Sequence, residues 1–129
     1  MYKELIISIL VVGVIILGNV VTQNNTIQSV NVISEELETL RETISKKDVN
    51  EEQSKNKMSE IEAAWKEKYE KMAYYIEHNE LEKVETELTK LKADIDMKEY
   101  SMGVENLDNC IFILEHIKDK TALKIVNVF

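Results

Sequence analysis

The sequence predicts an all-α protein, with one N-terminal transmembrane helix followed by an antiparallel three- or four-helix up-down bundle. Three observations predict this fold. Residues 5–21 form an almost unbroken apolar run. From residue 23 onward the chain has no proline and its one glycine is Gly103, so little can punctuate strands or tight turns. In the same part, apolar residues recur at steps of three and four, the spacing of one helix face.

Residues 1–22 are predicted to be a membrane anchor. The hydrocarbon core of a bilayer takes about 17 to 25 residues of helix, and residues 5–21 reach this length. A cleaved signal peptide is the competing interpretation, since its apolar core of about 7–15 residues ends in a small-residue cleavage site. Residues 18–22, GNVVT, offer no such site. The sequence therefore favours an uncleaved anchor.

The residues that flank the anchor predict its orientation, because Lys and Arg favour the cytoplasmic side. Lys3 precedes the apolar run, whereas no cation follows it before Arg41. We therefore expect a single-pass protein of the cytoplasmic membrane, with the N-terminus inside. Residues 23–129 are expected to form an extracytoplasmic helical bundle with an apolar C-terminal tail.

Charge and cysteine content exclude some classes of partner. The net charge is −8, and because Lys3 and Glu4 cancel, residues 23–129 carry all of it. An acidic surface repels nucleic acid, so we expect no nucleic-acid partner. Cys110 is the one cysteine and cannot form an intramolecular disulfide. We expect it to be a small buried residue.

The first two helices of the bundle follow the anchor. Helix A is predicted over about residues 28–45. It either packs with the other helices in a four-helix bundle or forms a membrane stalk beside a three-helix bundle. Asp48 with Glu51, or Asn50 with Gln53, gives a capping box for helix B, which is expected to end near His78. The polar residues 51–57 are expected to stand clear of the bundle. The apolar stripes of A and B are Val30, Ile33, Leu37, Leu40 and Ile44, and Met58, Ile61, Trp65, Tyr69, Met72 and Ile76, widened by Tyr74 and Tyr75.

Two further helices complete the bundle. Residues 79–82 read as a capping box for helix C, and Asp96 with Glu99 as the next cap, followed by helix D. Gly103, inside helix D, indicates a close helix crossing. Residues 121–129 are too apolar for a free end, so we expect something to cover them. The stripes of C and D are Leu81, Val84, Leu88, Leu91 and Ile95, and Met97, Tyr100, Val104, Leu107, Ile111, Leu114 and Ile117.

The two histidines are the paired polar feature of the chain. In an up-down bundle, His78, His116 and the apolar tail all lie at the membrane-proximal end. With Glu80 and Asp119 nearby, the imidazoles are candidates for binding a divalent metal or for a protonation switch. The alternative is that His78 meets a helix C-terminal dipole and His116 is a surface residue. No cofactor is expected.

Trp65 and the tail are the candidate interaction residues. Trp65 belongs to an apolar stripe, so a ligand groove competes with the commoner role of such a stripe as core. The chain has no nucleophile paired with a base and no glycine-rich phosphate loop, and we therefore expect no enzymatic activity. The tail candidates are Ile125, Val126, Val128 and Phe129.

Several motifs resemble a known family. They are WKEKY at residues 65–69, IEHNEL at residues 76–81, LEHI at residues 114–117 and IVNVF at residues 125–129. They resemble domain of unknown function 4363, a short membrane-anchored helical family found largely in spore-forming Gram-positive bacteria. The resemblance implies an architecture and a membrane location, which includes a spore membrane as an option. The family carries no assigned activity.

The sequence therefore predicts a non-catalytic, membrane-anchored accessory or interaction protein. Its expected partners are the membrane and another membrane protein, and a homo-oligomer is left open. The alternative hypothesis is an extracytoplasmic sensor that binds metal or protons through the end that carries His78 and His116.

Overall fold

The computed structural model describes the backbone of residues 2–128 and the side chains of residues 2–123. Nearly all of this part of the chain is helical, and it contains no strand. The all-α prediction is confirmed. The four helices are α1 Tyr2–Ile44, α2 Glu51–Ala73, α3 His78–Asp96 and α4 Tyr100–Val128.

The helices form an up-down four-helix bundle. Helix α1 packs against α2 and α4, and α3 packs against the same two helices. The Gln23 side chain of α1 meets Thr121 of α4, whereas Arg41 of α1 pairs with Asp108 at 2.8 Å. Residue numbers therefore rise along α1 as they fall along α4, so these two helices are antiparallel. The contacts of α3 show that it is also antiparallel to α2 and to α4.

Helix α1 decides between the three-helix and four-helix alternatives. It continues from the apolar run into the bundle without a break, so the predicted helix A is its second half. From Gln23 onward its stripe is buried, and it forms one wall of the core rather than a separate stalk. The fully buried or nearly buried hydrophobic residues of the core are Val30, Ile33, Leu37, Leu40, Ile44, Met58, Ile61, Trp65, Met72, Leu81, Val84, Leu88, Leu91, Ile95, Leu107, Cys110, Leu114 and Ile117.

The corner between α2 and α3, residues 74–77, differs from the prediction. Helix α2 ends at Ala73 instead of near His78. The amides of Tyr75 and Ile76 both donate to the Met72 carbonyl, which closes the last turn. Glu77 has an extended backbone and is the N-cap of α3, so the predicted capping box at residues 79–82 lies inside the first helical turn and does not form.

The connection between α3 and α4 also differs from the prediction. Met97 was expected in the helix D stripe, but it lies in the loop and is exposed. Lys98 has a left-handed φ of 59°, and the Glu99 amide donates to the Asp94 carbonyl at 2.8 Å. These are the features of a Schellman motif, which ends α3. Asp96 is therefore the last residue of α3 and does not cap α4.

The start of α2 confirms one prediction and overturns another. The Gln53 amide donates to the Asn50 side chain at 3.0 Å, so the Asn50 cap forms. Residues 51–57 do not stand clear of the bundle, because Ser54 is fully buried there. Glu51 also pairs with Lys98 of the α3–α4 loop at 3.2 Å, which joins the two connections at this end of the bundle.

Gly103 lies at a helix crossing, as predicted, but the crossing does not require a glycine. It is buried on α4 where that helix passes α1 and α3. A β-carbon at this position would meet Ile44 at 3.4 Å and Leu91 at 3.7 Å. These are ordinary van der Waals contact distances, so an alanine side chain would also fit between α4 and its two neighbours.

Candidate functional site at the Gln23 end of the bundle

The first half of α1 presents an apolar surface to its surroundings. Its hydrophobic side chains in residues 5–17 are mostly more than half exposed. Within the described part of the chain, α1 is the one helix that is long and apolar enough to cross a membrane. An exposed apolar surface of this extent is unusual for a protein surrounded by water. We call residues 5–21 the apolar segment.

Polar side chains begin where the apolar segment ends. Gln23, Thr26 and Ser29 are buried between α1 and its neighbours. The hydroxyls of Thr26 and Ser29 donate to carbonyls one turn earlier on α1, at 3.1 and 2.8 Å. The side-chain Nε2 of Gln23 donates to the Thr121 carbonyl at 3.4 Å, while the side-chain Oε1 has no partner in the described part of the chain. This polar layer marks the end of the bundle, which we call the Gln23 end.

The corner brings two aromatic residues to the Gln23 end. Tyr74 is 84% exposed and Tyr75 is 53% exposed. The sequence placed both beside the core stripe, and this was wrong, because the chain turns away from the core after Ala73. The next three residues, Tyr74, Tyr75 and Ile76, all have large side chains, and of these only Ile76 packs against the core. A shallow groove beside the tyrosines is lined by Asn25, Thr26, Ser29, Lys71, Met72, Tyr74 and Tyr75.

Helix α4 reaches the same end. Its Lys120 ammonium group lies 3.9 Å from a Glu77 carboxylate oxygen and 3.8 Å from one of Glu80, which ties α4 to the corner. The helix continues to Val128, so the predicted apolar tail is helical over residues 121–128. Leu123 is 61% exposed. The side chains of the tail candidates Ile125, Val126, Val128 and Phe129 lie outside the described residues.

The structure does not gather the four candidate metal ligands into one group. The His78 Nε2 atom lies 2.8 Å from a Glu82 carboxylate oxygen, and its Nδ1 atom lies 3.5 Å from the Tyr69 hydroxyl. Glu80 pairs with Lys120 instead. His116 and Asp119 are exposed on α4. Within residues 2–123, no group of three or more His, Cys, Asp or Glu side chains is placed to hold a metal ion.

Trp65 lies in the core and not on an interaction surface, which corrects its assignment as an interaction candidate. It is 6% exposed, and its indole N–H donates to Glu85 at 3.3 Å. Its ring packs edge-to-face on Tyr69, with 6.0 Å between ring centres. Because the ring is buried between helices and its N–H already has a partner, Trp65 is not available to a ligand.

Two titratable groups with raised pKa values, the buried Cys110 and the half-buried Glu36, lie away from the Gln23 end. Cys110 is fully buried, as expected, and burial together with the charge of Glu87 raises the pKa of its thiol to about 12. On α1, burial raises the pKa of the Glu36 carboxyl; Glu60 raises it further, and Lys57 partly opposes both. One oxygen of the Glu36 carboxyl is buried without a partner in the described part of the chain.

The fold and this end of it define a class: a four-helix bundle whose first helix extends into an apolar segment long enough to cross a membrane. The chain belongs to the family described as domain of unknown function (DUF4363), whose model matches residues 20–128. The match covers the whole bundle and begins near the end of the apolar segment. No curated protein and no solved structure shows significant similarity to the chain.

Proposed function

We propose that this protein is a non-catalytic accessory protein of the cytoplasmic membrane, which binds another membrane protein through its anchored bundle. The observation that carries the proposal is the continuity of α1. The same 43-residue helix provides the exposed apolar segment and one wall of the core. At about 1.5 Å per residue it is roughly 65 Å long. The bundle is therefore joined to the anchor without a hinge.

The rigid joint favours an interaction role. A bundle on a flexible linker samples many positions, whereas a helical joint holds one surface at one height and one rotation relative to the span. A partner in the same membrane then meets a preorganised surface, and preorganisation lowers the entropic cost of binding. The net charge of −8 favours a protein partner over nucleic acid.

The proposal includes the orientation of α1 in the membrane. Lys3 lies before the apolar segment, and between that segment and Arg41 there is no Lys or Arg. This asymmetry favours a cytoplasmic N-terminus and a bundle on the outer side.

The test is site-specific photo-cross-linking of the full-length protein in its native membranes. A cross-linking residue replaces Val14, which is 69% exposed in the apolar segment, or Phe112, which is 74% exposed on α4. The matched control replaces Lys47, which is exposed in the α1–α2 loop at the far end of the bundle. We expect one multi-spanning protein to be captured at Val14 or Phe112 and not at Lys47. Capture of lipid and of other copies of this chain alone would contradict the proposal and indicate a homo-oligomer.

One observation favours a second candidate, the proton sensor. The exposed His78 imidazole lies within 2.8 Å of Glu82 on its own helix and contacts Tyr69 of α2. Protonation would turn the first contact into an ion pair at the corner. We would compare thermal melts of the wild type and a His78→Ala/His116→Ala variant at about pH 5 and about pH 7.5, with and without zinc. Equal shifts in the two proteins would remove the sensor hypothesis in both its proton and its metal form.

A further inference from the structure

The apolar segment of α1 is not covered evenly. Most of its side chains are more than half exposed, but Val20 is 37% exposed and Ile16 is half-buried. Ile16, Val20 and Gln23 are four and three residues apart, so they lie on one face of the helix. The face of α1 that carries the core stripe is therefore partly covered within the apolar segment as well.

The end of α4 is the element that reaches this face. Thr121 is level with Gln23, and α4 runs antiparallel to α1 as far as Val128. At about 1.5 Å per residue, it extends about 10 Å beyond Thr121. This length carries α4 past Val20 to the level of Ile16. If α4 stays beside α1 as far as Val128, it covers part of Val20 and Ile16, which explains their partial burial.

The level of α4 can be compared with the level of the bilayer. The apolar segment ends two residues before Gln23, and Leu123 lies two residues beyond Thr121 on the antiparallel helix. Leu123 is therefore level with Val21, at the edge of the hydrocarbon layer. It is 61% exposed, and the sequence that follows it is mostly apolar. A helix end at this depth is surrounded by lipid, which favours exposed apolar side chains such as Leu123.

Tyrosines lie at both ends of the apolar segment. Tyr2 begins α1, and the exposed Tyr74 and Tyr75 border the groove that also contains Asn25. The length of α1 between Tyr2 and Gln23 is about 32 Å, close to the ~30 Å of the hydrocarbon core. Tyr is enriched at both membrane–water interfaces, where its ring is buried and its hydroxyl is hydrated. Lys71 in the same groove offers a cation to a lipid phosphate.

We propose that the last turns of α4, residues 122–128, enter the outer leaflet beside α1, with Tyr74 and Tyr75 in the headgroup layer. The bundle is then seated on the bilayer at three places and not held by one helix alone. The occupant of the exposed face is lipid, because that face is continuous with the apolar segment. The inference rests on the membrane location in the proposed function and adds a second inserted element to it.

The test measures the depth of fluorescent labels in vesicles of phosphatidylcholine and phosphatidylglycerol. The full-length protein carries Cys110→Ser, with Cys110→Ala as the alternative if the first variant does not fold, and one new cysteine labelled with nitrobenzoxadiazole. The new cysteine replaces Leu123, Tyr75 or Met97; Met97 is exposed in the α3–α4 loop, at the opposite end of the bundle. Lipids carry spin-label quenchers on the headgroup or at a shallow acyl position. A label at Val14 reports insertion of α1 itself.

We expect the Leu123 label to lose most of its emission to the shallow acyl quencher, the Tyr75 label to the headgroup quencher, and the Met97 label to neither. A Leu123 label quenched no more than the Met97 label, while the Val14 label is quenched, would overturn the inference and leave the anchor intact. If the Val14 label also escapes quenching, the membrane location itself fails. Quenching at Leu123 that changes when the protein is diluted in lipid would assign the face to a second copy. Purified lipids contain no partner protein, so these outcomes do not depend on the cross-linking result.

Discussion

Replacement of Leu37 by alanine is expected to lower the free energy of unfolding by about 3 kcal/mol. Leu37 lies in the part of α1 that follows the apolar segment, and it is fully buried in the core. Truncation of a buried leucine costs the lost transfer energy of its methyl groups and leaves a cavity, together about 2–5 kcal/mol. Four helices enclose this core, so little collapse around the cavity is expected.

Urea unfolding of the full-length protein in detergent micelles measures this change. Trp65 is the one tryptophan of the chain and is buried, so its emission reports the loss of the core. The matched control is Val32→Ala on the same stretch of α1, where the side chain is 39% exposed. Its effect is expected to stay within about 0.5 kcal/mol, as for most surface substitutions.

The comparison decides whether α1 belongs to the bundle. If α1 were a stalk beside a three-helix bundle, Leu37→Ala would cost no more than Val32→Ala. A loss below about 1 kcal/mol at Leu37 would therefore refute the packing of α1, since truncation of a buried leucine in a packed core costs about 2–5 kcal/mol.

Three further predictions concern single residues. Lys98→Gly should raise the free energy of unfolding in urea by roughly 1 kcal/mol, because the left-handed backbone costs a lysine about 1–2 kcal/mol and its exposed ion pair returns less. An unchanged midpoint would show that the loop is not strained. Glu36→Gln should raise the melting temperature at neutral pH and give no gain near about pH 4. The pKa of Glu36 is raised in the folded protein. Its carboxyl group therefore adds to folding stability only below the pKa of the unfolded state, and this stability is lost as pH rises through the folded-state pKa. Cys110 should resist maleimide in the folded protein and react once urea unfolds it, because its pKa is about 12 and the thiolate is scarce. Rapid labelling without denaturant would show that the core opens around it.

The apolar stripes predicted most of the core correctly. The steps of three and four from Val30 to Ile44, and again from Leu81 to Ile95, correspond to buried residues of α1 and α3. This succeeded because burial on one helix face is set by local periodicity, which the sequence displays directly. The Asn50 cap was also predictable, since its hydrogen bond to Gln53 spans only one turn.

Features that depend on the path of the chain between helices were not predictable. A left-handed lysine at position 98 carries no sequence signal, because glycine usually occupies such a position. The exposure of Tyr74 and Tyr75 follows from where α2 ends, and neither glycine nor proline marks that end. The level of Leu123 relative to Val21 depends on the register of α4 against α1, which no local pattern encodes.

In the proposed arrangement, α1 crosses the membrane and holds the bundle on the outer side. Labelling of intact cells with a membrane-impermeant maleimide tests it most directly, with Cys110→Ser proteins that carry one cysteine in place of Asp48 or of Lys3. The Asp48 position lies in the exposed α1–α2 loop at the far end of the bundle. We predict labelling at position 48 in intact cells, and at position 3 only after the membrane is opened. The reverse pattern, or recovery of the protein in the soluble fraction, would contradict the claim.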